Sequence, residues 1–121
     1  MTRLILYLVI GSFFSSCAYT KNWQGTSNAQ VAQAEFKELT GKQVFVMHVP
    51  NNDTYLAYRF KETDGELKAS IRSTSAFIVN KTIDFSEENA VHLVNQKGAE
   101  YKVTLKGKHA SGAFDVRFLK A

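Results

Sequence analysis

Residues 64–72 read Asp-Gly-Glu-Leu-Lys-Ala-Ser-Ile-Arg. The Asp64-Gly65 pair is a hairpin signal, because both central positions of a type I′ turn need positive φ. Beyond it the chain alternates, with Leu67, Ala69 and Ile71 on one side and Lys68, Ser70 and Arg72 on the other. A period of two with apolar residues on a single side describes a strand with one buried and one wet face.

The same period extends in both directions. Upstream, Leu56, Tyr58 and Phe60 share a face after a turn at Pro50-Asn51-Asn52-Asp53, and Gln43 to Val49 is apolar on both faces. Downstream, Phe77, Val79 and Ile83 continue the pattern, and Ser86-Glu87-Glu88-Asn89 reads as a polar turn before a short strand at Val91 to Val94. Tyr101, Val103 and Leu105 then oppose Lys102, Thr104 and Lys106. A loop over 107–112 precedes a last strand with Phe114, Val116 and Phe118 inward. About seven strands joined by short turns predict a mainly β domain, a small antiparallel β-barrel or a β-sandwich. The inward rings of Tyr58, Phe60, Phe77, Tyr101, Phe114 and Phe118 suit a filled core better than a ligand cavity at this size.

Ahead of the strands the period changes. Val31, Ala32, Phe36 and Leu39 fall on one face about 140° wide at helical spacing. Ser27 and Gln30 have the capping-box spacing and Gly41 suits a C-cap. A leading helix over 28–40 is therefore expected, packed on the sheet.

The first residues give an address. Arg3 precedes an apolar run, Leu4 to Phe14, too short to span a bilayer as a helix, and small residues follow. That pattern describes a signal peptide over 1–16. Phe14-Ser15-Ser16-Cys17 resembles the lipobox of bacterial lipoproteins. The resemblance implies a diacylglyceryl lipid on Cys17, the only cysteine of the chain; no other cofactor is expected. Ala18 stands where enterobacterial inner-membrane retention signals have Asp, so the resemblance favours the outer membrane. The absence of an acidic cluster over 18–22 favours its periplasmic side. Residues 17–27 read as the lipidated terminus and tether, and 28–121 as one domain.

The chain has 121 residues and a formal charge of +4, of which the signal peptide carries one. So mild an excess makes no case for nucleic acid. His48, His92 and His109 lack metal-ligand spacing, and no nucleophile elbow or glycine-rich phosphate loop is present. The expectation is no enzyme and no metal. Lys68, Arg72, Lys102, Lys106 and Arg117 fall on outward faces, and with His109 they are the candidate binding residues, able to line up as a basic stripe. The leading functional expectation is an envelope lipoprotein held to the membrane by lipid and binding another envelope protein or component as an accessory subunit. An inhibitor or immunity protein using the 107–112 loop is the second reading, and a carrier of a small apolar ligand the third.

Overall fold

The computed structural model describes residues 19–120. They form six strands: β1 (Asn22–Ser27), β2 (Val31–His48), β3 (Asp53–Arg72), β4 (Phe77–Thr82), β5 (Ser86–Val94) and β6 (Glu100–Lys120). Every pairing is antiparallel, in one sheet ordered β1-β2-β6-β3. Both β5 and β4 pair with the far edge of β3, against Asp53–Lys61 and Lys68–Arg72 respectively. The last strand is thus inserted at the centre, between β2 and β3.

The sheet is folded double. An 18-residue strand such as β2 would span about 60 Å if straight. Yet the His48 N–H donates to the carbonyl of Ala29, just ahead of the other end of β2, at 2.9 Å. The Trp23 ring also stacks on both Phe36 and Phe45 of β2, at 5.6 and 5.9 Å between centroids. Nine residues of straight strand would hold those two rings about 30 Å apart. The two halves of each long strand therefore face one another as the layers of a sandwich. The links 49–52 and 95–99 cross its open end, tied together by Gly98 N–H to the Val49 carbonyl and Asn95 N–H to that of Asn52.

The crease has a local cause. Register shifts fall at Phe36/Leu39 and Leu39/Gly41 in β2, and at Glu62/Asp64 and Asp64/Glu66 in β3, opposite residues 107–112 of β6. Glu38, Gly41, Gly65 and His109 adopt positive φ there, as does Phe85 at the corner between β4 and β5. A bulge adds a residue to one strand, bends it and reverses the parity of its side chains. In β3 the buried set accordingly changes from Leu56, Tyr58 and Phe60 to Leu67, Ala69 and Ile71; in β6 it changes from Tyr101, Val103 and Leu105 to Phe114, Val116 and Phe118. One face of the sheet thus stays inside across the fold.

Several expectations are corrected. No closed barrel is formed. No helix occupies 28–40: residues 28–30 make a turn in which the Asn28 side chain accepts from the backbone of Gln30 and Val31, and β2 follows at once. Residues 22–27, expected in the tether, are β1. Asp64-Gly65 is a bend within β3 rather than a hairpin, and 107–112 lies inside β6 rather than in a loop. The positive φ demanded by Gly65 is real, but a bulge satisfies it as well as a turn does. Ser86-Glu87-Glu88-Asn89 opens β5 instead of forming a turn. Cys17 and the signal-peptide reading lie outside the described residues.

Candidate anion-binding face

The cationic face is built by register. In the half-sheet made by the end of β2, the start of β6 and the end of β3, the inward positions are Met47, Tyr101, Val103, Leu105, Leu67, Ala69 and Ile71. The alternate residues must point outward. Lys42 stands opposite Lys106 on the next strand, and Lys106 opposite Lys68 on the one after. Four residues further along, Lys102 stands opposite Arg72, with Val46 on one side and Phe77 on the other. Between these rows runs a band of Val44, Thr104, Ser70 and Asn80.

All five cations are exposed, and among the described residues none has a carboxylate within ion-pair distance. The Arg72 guanidinium carbon lies 5.0 Å from the centroid of the Phe77 ring, and its Nε donates to the Ser73 carbonyl at 3.3 Å. Arg72, Ser73, Thr74, Glu100 and Lys102 line an open groove of about 330 Å³ at the end of the face. Glu100 is its one carboxylate, 3.9 Å from His48. Phe77 was expected inside. The register shift at Ile71/Arg72 sets it opposite Arg72 instead, half exposed.

Four of the residues singled out from sequence, Lys68, Arg72, Lys102 and Lys106, thus come together. Lys42 joins them and was missed, because the expected helix and its cap obscured the fact that it shares parity with Val44 and Val46. Arg117 does not join. It lies in the other half, where its Nε and Nη2 donate to Asp115 at 2.7 and 2.6 Å, and this carboxylate holds its pKa above the ordinary value. His109 sits in the crease, its Nδ1 3.2 Å from Glu38 Oε1 and its backbone N–H donating to the Thr40 hydroxyl at 3.2 Å.

Like charges directly opposite one another destabilise a sheet. A row of three lysines on neighbouring strands is therefore a cost that the fold does not require, and an anion laid on the row removes it. Elsewhere several charges are paired: Lys81 with Glu87 at 2.9 Å, Lys108 with Glu66 at 4.0 Å, and His92 with Asp53 beneath the stacked ring of Tyr55. The described residues contain no group of three or more His, Cys, Asp or Glu able to hold a metal ion.

No family model and no curated protein matches the chain. Among solved structures it is similar to TmCBM61 in complex with beta-1,4-galactotriose, at 6% identity and TM-score 0.41, over 84% of this chain and 90% of that one. A CBM4 structure gives 8% and 0.43, over 88% and 79%. The exo-beta-1,3-galactanase of Phanerochaete chrysosporium gives 14% and 0.35, over 87% of this chain and 30% of that one. At such scores the likeness carries no argument about ligand, activity or partner.

Proposed function

We propose that the chain is a non-enzymatic binding protein of the cell envelope, anchored by lipid on Cys17 at the periplasmic side of the outer membrane. Its sandwich takes an anionic envelope component on the face formed by Lys42, Lys68, Lys102, Lys106 and Arg72. The observation that carries this reading is the Lys42–Lys106–Lys68 row, three cations set directly opposite one another with no carboxylate partner among the described residues. Phosphate, carboxylate and sulfate groups all complement such a row, because what it offers is a dense positive potential on a flat surface.

The reading is tested with the purified protein against a soluble polyanion such as dextran sulfate over a series of salt concentrations. Binding is expected to weaken steeply as salt rises, since exposed charges are screened over about 10 Å at 0.1 M. The combined K68Q, R72Q and K106Q variant is expected to lose most of the affinity, while D115N, in the other half, keeps it. Equal binding by the triple variant, or none by the parent at low salt, overturns the proposal. Mass spectrometry of the native protein beside Cys17→Ser tests the anchor separately, because only the parent should carry acyl chains.

A further inference from the structure

We infer that the anionic occupant of this face is the headgroup layer of the membrane that holds the anchor, so that the second half-sheet lies flat on the lipid surface. The inference rests on the reading above and adds three observations. First, the anchor has little slack. Tyr19 is bonded in both directions to the backbone of Thr40, at 2.8 Å each, and Cys17 is two residues before it. Two residues reach about 7 Å at most. Lys42 follows Thr40 by two residues, so the lysine row starts within about 20 Å of the acylated sulfur along any path.

Second, the face carries apolar side chains as well as charge. Val46 and Phe77, at the two ends of the Lys102–Arg72 row, are 45% and 50% exposed, and Tyr19 is 64% exposed. Aromatic rings at headgroup depth beside lysine and arginine suit a membrane–water interface. Third, the other half-sheet differs. Its outward charges, which include Glu35, Lys37, Arg59, Lys61, Glu88, Asp115 and Arg117, are of mixed sign, with the Arg117–Asp115 pair closed on itself. Charge complementarity therefore selects one side of the sandwich for the membrane. A diacylglyceryl anchor holds the protein to the bilayer by itself, and the basic patch then decides which face of the sandwich meets the headgroups.

The test uses the native lipidated protein in phosphatidylethanolamine vesicles with and without roughly a quarter phosphatidylglycerol. A fluorophore is placed at Thr82→Cys, beside Lys68 on the cationic face, or at Ala90→Cys on the opposite face, and a headgroup-depth quencher is carried by the lipid. Quenching at position 82 is expected to exceed that at 90 several-fold in anionic vesicles. The K68Q, R72Q and K106Q variant should abolish the difference, each cation lost weakening the surface contact about five-fold. Equal quenching at the two positions, stronger quenching at 90, or a difference that survives neutralisation overturns the inference. Such a failure beside intact polyanion binding would remove the membrane as occupant and leave the binding reading standing. Loss of both would remove the two together.

Discussion

Gly65 and Gly98 both adopt positive φ, at 76° and 87°, but their surroundings differ. A Cβ at Gly65 would lie 2.0 Å from the His109 carbonyl oxygen, whereas nothing lies within 4 Å of one at Gly98. Gly98→Ala is therefore expected to cost only the left-handed strain, about 1 kcal/mol, and Gly65→Ala clearly more, above about 2 kcal/mol, read as shifts in urea midpoint at constant slope. A difference of the same scale but opposite sign belongs to Lys106. Replacing it by Gln removes the charge between two lysines and should stabilise the fold by about 0.2–1 kcal/mol while weakening polyanion binding. At this scale the sequence was legible in kind but not in use. The positive φ at Gly65 and the outward placement of Lys68, Arg72, Lys102 and Lys106 could be read from alternation, but whether the chain turns back or merely bends there depends on what lies beside it. Arg117 had the right parity and the wrong half: its partner Asp115, two residues back on the same face of the same strand, was within reach of the sequence, but the half of the sandwich that holds the pair was not.

Strand β2 shows how an element escapes its own propensities. Residues 31–39 are rich in helix formers, yet Ala32, Ala34 and Phe36 alternate with Gln33, Glu35 and Lys37 as a strand requires. Ala32 and Ala34 are fully buried between β1 and β6, where small side chains let the folded sheet close. The extra residues of the bulge returned Leu39 to the buried face and so completed a helical period by coincidence. Trp23 is what locks the two halves of β2 to each other, and its ring lies 6.0 Å from Phe114 as well. Trp23→Ala is expected to lower stability by about 2–4 kcal/mol, measured by circular dichroism because the chain then has no tryptophan to follow. The strands from Asp53 onward were legible because one side of each is wet. The joining of expected strands into β3 and β6 was not, since a bulge and a turn draw on the same Gly, Asp and Ser residues.

For the molecule as a whole, the buried phenols set an alkaline limit. Burial pushes Tyr101 above its ordinary value, against a hydrogen bond from its hydroxyl to Gln96. Tyr58 is raised by burial and then by the nearby Glu87 carboxylate. Each is protonated more readily when folded than when unfolded. The stability they contribute is therefore complete below the ordinary tyrosine value of 10.0 and is lost as pH rises through the higher folded values. Thermal unfolding should accordingly show a falling melting temperature above about pH 10, with a shallower fall in Tyr101→Phe. The class of the molecule was legible: mainly β, antiparallel, with one core. The doubled sheet was not, because the pairing of β6 between β2 and β3 joins residues far apart in the chain.

The crease has a consequence in time. Three central strands run through both layers, so neither layer can close with its own residues alone, and an alignment chosen in one is imposed on the other. The last-made strand must arrive before β2 and β3 have a neighbour in common. Chains dominated by such distant pairings pay for loop closure before any contact repays it and reach the native state over milliseconds to seconds. During that interval the unpaired edges of β2 and β3 are open to pairing with another chain.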